Sequence, residues 1–452
     1  MNSYEGIFNA KSIAVVGASN KADKTGHIVL KNLIDGGYSG KIYGINPKAQ
    51  EILGCKCFPS LLDVPDTIDL AVIIIPAAFV KDVIEQCGEK GVKGVVIISG
   101  GFREIGNADL EAEMVQEAKK QGVRIIGPNC QGITYTPNNL CASWPLMDAK
   151  GEMAIISQSG TVGAAFAGWA DDDRLGLSSF VSLGNKSDID EIDLMQYFLA
   201  DRYTGAIGIY VEGVKDGRAF MKIGRETAAK KPVVILRPGR TEKGRAAAQS
   251  HTQSVAGDHQ VFDAAVKQIG AIKAESVYDL YDFTKILALG GKPGGNRCVV
   301  LTSSGGSGII ATDVAENLGV DIVSLDENTR DALRGSLPSH CVVGNPLDLT
   351  GDTNAERYYT AVEQLKNNDY IDIILLIFGD PIPGAAEWAQ RIKQETDKEV
   401  VACYLGGGKM QVEEMGRLHA VGVPVFPTPE RAMRAINALV EYSTKKIHTD
   451  KR

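Results

Sequence analysis

The sequence predicts an α/β protein built from three doubly wound parallel-sheet domains. Short β-branched runs alternate with helix-length segments along the whole chain, the pattern of parallel strands covered by helices. The pattern also restarts twice, after the irregular stretch Thr134–Lys150 and after the linker-like Gly291–Gly295. The length of 452 residues agrees with three domains at roughly 150 residues each.

In the first domain, expected over residues 1–145, strands read at Ile13–Val16, Lys41–Ile45, Leu70–Ile75, Val95–Ile98 and Arg124–Ile126. Helical patterns lie between them, as at Ala78–Lys90 and Asp109–Gln121. The second domain, 150–290, has strands at Met153–Ile156, Phe180–Ser182, Ala206–Tyr210 and Val233–Leu236. The third, 296–452, has Arg297–Thr302, Ile371–Phe378 and Val400–Tyr404. The second and third domains each open with an apolar strand, a Ser/Gly loop and a small-residue helix, the pattern of an internal duplication.

Composition excludes several classes. Apolar residues make up 44% and charged residues 23%, as in globular proteins with packed cores. A net charge of −8 provides no basic footprint for nucleic acid. No apolar run approaches the ~20 residues of a membrane-spanning helix, and Met1–Lys11 lacks the pattern of a signal peptide. The expectation is a cytoplasmic protein without a membrane. Eight scattered cysteines with no C-x-x-C pair read as reduced thiols, and no metal site is expected.

Candidate sites fall at strand ends, where open α/β sheets bind ligands. After the first strand comes Gly17-Ala18-Ser19-Asn20, with Gly26 leading into a helix. That turn lets backbone N–H groups approach a phosphate. It departs from the dinucleotide fingerprint at Ser19 and Ala22, and the second strand ends in Asn46-Pro47-Lys48 instead of an acidic residue. Lys48 favours a phosphorylated ribose or a diphosphate, as in CoA, and NADP also satisfies that requirement. Pro76, Ser99-Gly100-Gly101 and Gly127-Pro128-Asn129-Cys130 end three further strands on the same rim.

In the second domain Ser157-Gln158-Ser159-Gly160-Thr161-Val162-Gly163 follows a strand and opens a helix, an anion-binding arrangement that also serves as a plain N-cap. Ser303–Gly308 is chemically similar. Neither loop carries a Walker A lysine. His251 lies among small polar residues, Gln249 to Gly257, where a neutral imidazole could attack phosphorus. Glu212, near the end of a strand, is a candidate to orient it. On the residues alone, a surface or capping role for His251 outweighs catalysis.

Taken in order, Val15–Ser19, Tyr43–Lys48, Gly127–Cys130, Ser157–Gly160, Tyr210–Gly213, Ser250–Thr252 and Asn345–Leu349 resemble the α subunits of NDP-forming acyl-CoA synthetases. The likeness is to the ADP-forming acetyl-CoA synthetase type, and more distantly to succinyl-CoA synthetase. The resemblance implies one Rossmann-like CoA-binding domain and two flavodoxin-like domains. It implies CoA contacts from Gly17, Ala18, Ser19, Lys48 and Pro76, with Asn129 and Cys130 near the thiol end. It implies phosphate held by Ser159, Gly160 and Thr161, and a phosphohistidine at His251 supported by Glu212. The implied reaction interconverts acyl-CoA, phosphate and ADP with a small carboxylic acid, CoA and ATP. ATP/ADP and Mg²⁺ would be held by an ATP-grasp β subunit in an α2β2 heterotetramer. Gln253 and Asp258-His259 depart from the family's pattern after the histidine. Two other readings are a non-catalytic CoA- or acyl-CoA-binding regulator and an NADP-dependent oxidoreductase.

Overall fold

The computed structural model describes residues 4–246 and 258–450. It divides into two compact units, one comprising Met1–Asp171 and Gly176–Ile269, the other Asp172–Leu175 and Gly270–Arg452.

The first unit holds two sheets. In one, β1 (Ser12–Val16), β2 (Lys41–Ile45), β3 (Glu51–Ile52), β4 (Cys55–Phe58), β5 (Leu70–Ile73), β6 (Gly94–Ile97) and β7 (Arg124–Ile126) are arranged β3-β4-β2-β1-β5-β6-β7. From β4 onward this is the 3-2-1-4-5-6 order of dinucleotide-binding sheets. All five residues of β1 are buried, because strands covered on both faces need apolar side chains on both. Helices α1 (Glu5–Phe8), α2 (Thr25–Asp35), α3 (Val80–Lys90) and α4 (Ala108–Gln121) belong to this part of the chain. Ile73, Val95, Ile84, Met114 and Phe102 join one buried cluster.

The second sheet corrects the reading of Thr134–Lys150 as irregular. Strands β8 (Gly132–Tyr135) and β9 (Leu140–Ser143) form an antiparallel hairpin. β8 then pairs antiparallel with β11 (Leu177–Ser182). With β10 (Lys150–Ser157), β12 (Ala206–Tyr210) and β13 (Val233–Leu236), the order within this unit is β13-β12-β10-β11-β8-β9. The parallel strands follow a 2-1-3-4 order, as in flavodoxin-like sheets. Helices α5 (Gly160–Asp172), α6 (Glu191–Ala200) and α7 (Gly217–Ala228) connect them. Asp190 starts α6 with a capping box, accepting from Ile192 N at 2.9 Å and Asp193 N at 3.3 Å.

The second unit begins with the short strand β14 (Ile272–Lys273). Its own sheet comprises β15 (Arg297–Thr302), β16 (Asp321–Ile322), β17 (Leu347–Asp348), β18 (Ile373–Phe378), β19 (Glu399–Tyr404) and β20 (Val425–Phe426). These run β16-β15-β18-β19-β20, the 2-1-3-4-5 order, with β17 beside β15. That order repeats the 2-1-3-4 arrangement of the preceding domain, in line with the duplication read from the sequence. Lys285, fully buried on the helix Val277–Leu289, donates to Asp173 Oδ2 at 2.9 Å and to the Val425 carbonyl at 2.8 Å.

Candidate active site

The carboxyl ends of β10, β11, β12 and β13 lie level: Ser157 pairs with both Ser182 and Tyr210, and Tyr210 with Leu236. Loops leaving those ends therefore gather on one edge of the sheet. There α5 begins at Gly160, and Ser159 Oγ accepts from Val162 N at 3.4 Å. A Cβ on Gly163 would lie 2.5 Å from the Phe180 ring and 3.0 Å from Ser157 Cβ, so only glycine lets the helix settle this close to the strands. The result is a helix whose N-terminus and positive dipole end lie at the sheet edge.

A cavity of about 640 Å³ opens at that edge. Gln158, Ser159, Gly160, Thr161 and Glu212 line it. Asn129 and Cys130, from the first sheet, also line it. Residues expected to hold phosphate, to orient a histidine and to receive the CoA thiol thus border one space. Glu212 is only 8% exposed, and its N–H donates to Gln158 Oε1 at 2.9 Å. Burial and the nearby Glu212 charge push the Tyr210 hydroxyl up to about 12. Cys130 is buried and its thiol donates to the Ile97 carbonyl at 3.3 Å. Burial raises that thiol to about 12, so it stays protonated and is no nucleophile.

Other lining residues carry signals that sequence reading passed over. Glu104 follows the Ser99–Gly101 turn by three residues, and Asn185 follows the strand ending at Ser182. Asn185 Nδ2 donates to Glu104 Oε2 at 2.7 Å and to Glu111 Oε2 at 2.9 Å, while Asn185 Oδ1 accepts from Asn129 Nδ2 at 3.3 Å. Burial works against a charge on Glu104, but Asn185 and the N–H groups of Gly101 and Phe102 outweigh it and hold the carboxyl below its usual range. Trp144, 46% exposed, is one of the few apolar side chains in the lining. Its backbone is fixed by Asn32, which donates to the carbonyls of Ser143 and Trp144 at 3.0 Å each.

The first sheet's rim bears the remaining expected residues. Gly17 has φ +95°, and a Cβ there would meet the Ile74 carbonyl oxygen at 2.2 Å; a Cβ on Gly26 would meet the Gly17 oxygen at 2.0 Å. Strand, turn and helix are packed backbone to backbone, leaving the turn narrow and its surface bare. Asn46 Nδ2 ties the turn to β2 by donating to the Ala18 carbonyl at 2.8 Å, and Asn46 Oδ1 accepts from Lys48 N at 2.8 Å. Lys48 and Pro76 are exposed, Ser19 partly so, and Ala18 is buried. A crevice of about 170 Å³ beside them is lined by Gly17, Asn46, Pro47, Ser60 and Ile75. A bare turn, an exposed lysine and an adjoining crevice fit a phosphorylated nucleotide such as CoA.

His251 and Gln253 lie outside the described residues. The substitution pair beyond them has a local explanation. Asp258 caps the helix His259–Ile269, accepting from Gln260 N at 2.7 Å and Val261 N at 3.2 Å. Those donors hold the Asp258 carboxyl below its ordinary range. His259 Nε2 sits 3.3 Å from Asp263 on the same helix. Among the described residues no group of three or more His, Cys, Asp or Glu is placed to hold a metal, and no helix is long and apolar enough to cross a membrane.

Comparison with known proteins assigns each part of this architecture. Residues 11–136 match the CoA binding domain family, 150–287 the succinyl-CoA ligase like flavodoxin domain, and 298–436 the ligase-CoA domain. The chain is 41% identical, over 99% of its own length and 100% of the relative's, to the α subunit of acetate–CoA ligase [ADP-forming] I of Pyrococcus furiosus. It is 40% identical to acetate–CoA ligase [ADP-forming] I of Archaeoglobus fulgidus, covering 97% of this chain but 64% of that longer one. A solved structure of the Candidatus Korarchaeum cryptofilum dinucleotide-forming acetyl-coenzyme A synthetase 1, in complex with phosphate and ADP, superposes with a TM-score of 0.92 at 38% identity, covering 100% of this chain and 99% of that one. With such identity over the full length of a curated α subunit, the chain belongs to the family of ADP-forming acetate–CoA ligases, acid–thiol ligases of which it is an α subunit.

Proposed function

We propose that this chain carries the CoA and phosphoryl-transfer half of the ligase, working through an acyl phosphate and a phosphohistidine at His251. The observation that carries the reading is the shared cavity: Asn129 and Cys130 meet Ser159, Gly160, Thr161 and Glu212 around one space of about 640 Å³. Gly17, Ala18, Ser19, Lys48 and Pro76 would receive CoA, placing its thioester end toward Asn129 and Cys130. Phosphate held at the start of α5 attacks the thioester carbonyl; the C–S bond breaks, a C–O bond forms, and CoA leaves as acyl phosphate appears. A His251 ring nitrogen then attacks phosphorus, and the P–O bond to the acyl group breaks to release the carboxylate. Glu212 accepts from the other ring nitrogen, fixing the tautomer and stabilising the charged phosphohistidine. The helix N-terminus stabilises charge on the transferred phosphoryl group in a site partly withdrawn from water.

The final transfer to ADP requires a nucleotide site, which we assign with its Mg²⁺ to a partner ATP-grasp β subunit, in an α2β2 assembly. The name "subunit alpha" of the Pyrococcus furiosus relative and the extra length of the Archaeoglobus fulgidus chain support a partner of this kind. The deciding experiment labels the chain, assembled with that partner, from acetyl phosphate or from acetyl-CoA plus labelled phosphate. Acid-labile, alkali-stable label on wild type and none on His251→Ala is the expected result. Absence of label from a folded assembly offered several acyl groups would replace this reading with a non-catalytic CoA-binding regulator.

A further inference from the structure

Lys186 sits in the loop between β11 and α6, 3% exposed and with φ at +55°, a left-handed conformation that costs a non-glycine residue energy. Its Nζ donates to Glu191 Oε2 at 2.7 Å and to the Gly213 carbonyl at 2.6 Å. Gly213 directly follows Glu212, whose own N–H is held by Gln158 at 2.9 Å. The peptide segment bearing the Glu212 side chain is therefore gripped from both sides, by the phosphate loop and by Lys186. Lys215 Nζ in turn donates to the Lys186 carbonyl, closing a ring of contacts around residues 212–215.

Stability does not explain this pair. Moving an ammonium and a carboxylate out of water costs several kcal/mol per ion, and apolar replacements of such pairs are often neutral or stabilising. Here the cost is incompletely offset, because Glu191 Oε1 is buried with no hydrogen-bond partner among the described residues. What the pair supplies is geometry: a cation pinned by Glu191 that fixes one carbonyl beside Glu212. Lys186's neighbour Asn185 bonds to two other residues of the cavity lining, Asn129 and Glu104, and to Glu111.

We infer that Lys186, anchored by Glu191, is a positioning residue that fixes Glu212 for phosphoryl transfer. This rests on the reading of Glu212 as the histidine's partner. The test uses the assembled enzyme and the double variant Lys186→Met/Glu191→Leu, which removes both buried charges together so that neither is stranded. Three quantities are compared with wild type: the rate of enzyme phosphorylation from acetyl phosphate, KM for CoA, and melting temperature. The expected result is a phosphorylation rate at least tenfold lower, KM for CoA within twofold, and a melting temperature within a few degrees. Combining the double variant with Glu212→Gln should cost little beyond Glu212→Gln alone, since both act through one carboxylate. Lys186→Arg, which keeps a cation in reach of Gly213, should recover part of the rate and covers the case in which the double variant does not fold. The inference is overturned by an unchanged phosphorylation rate, by losses that multiply with those of Glu212→Gln, or by a rate in Lys186→Arg no better than in the double variant. If Glu212→Gln alone leaves phosphorylation intact, it is the role of Glu212 that fails.

Discussion

His419 makes the stability of the second unit depend on pH. It is 3% exposed, with Nδ1 2.8 Å from the Asp173 carbonyl and Nε2 accepting from Val425 N at 3.4 Å. That arrangement suits the neutral ring with its proton on Nδ1; a second proton on Nε2 would face an N–H. Burial chiefly, then the nearby Lys285 ammonium, lowers its pKa from 6.5 to about 4, with Asp173 opposing. The unfolded chain thus takes up a proton near pH 6.5 that the folded chain refuses until about pH 4, so the stability His419 contributes is complete above 6.5 and lost as pH falls toward 4. At about 1.4 kcal/mol per tenfold difference in proton affinity, the loss is about 2 kcal/mol by pH 5 and approaches about 3 kcal/mol near pH 4. Urea unfolding followed by fluorescence, at several pH values from 7.5 to 4.5, measures it against His419→Gln. The variant starts less stable and should lose about 2 kcal/mol less than wild type between pH 7.5 and 5. Parallel pH profiles for the two proteins would refute the argument.

Two other substitutions test the site. Gly163→Val would drive a side chain into the Phe180 ring, which a bare Cβ would already meet at 2.5 Å; overpacking of this kind costs about 1–3 kcal/mol. Melting temperature and enzyme phosphorylation should both fall, and an unchanged melting temperature would show that α5 can lift away from the sheet. Lys48→Glu reverses the exposed charge beside the first turn, and loss of one charge-assisted contact of about 1.5–3 kcal/mol should raise KM for CoA at least tenfold. The effect should shrink with added salt, and unchanged CoA kinetics at low salt would remove Lys48 from the binding surface.

The parallel strands were legible because fully buried strands must be apolar on both faces. Lys41–Ile45, Ala206–Tyr210, Val233–Leu236 and Arg297–Thr302 fall where the β-branched runs indicated. The hairpin β8–β9 was not legible. Its residues include Thr134, Cys141 and Ser143, and the turn between its strands holds Pro137 and two asparagines; β8 is made a strand by pairing with the edge of β11, and β9 by pairing with β8. The glycine turn and the phosphate loop announced themselves through glycine and serine at strand ends. Glu104, Asn185 and Lys186 did not, because each reads alone as an ordinary polar loop residue. Their meaning comes from the level strand ends that bring distant loops together, a property of register that one-dimensional spacing does not contain.

The loop after β11 also bears on modularity. Gly184 approaches so closely that a Cβ would lie 2.2 Å from the Pro128 oxygen. Beyond it Asn185 N, Ser187 N and Ile189 N donate to the carbonyls of Pro128, Gly127 and Ile125 at 2.8, 3.0 and 3.0 Å. Two regions that match separate families, 11–136 and 150–287, are thus laced by main-chain bonds, while β8, at the end of the first region, and β9, just after it, complete the second sheet. Removing or exchanging either region alone would break up a sheet and strip a row of amides of their acceptors. Recombination that swaps CoA specificity therefore has to move both regions as one block.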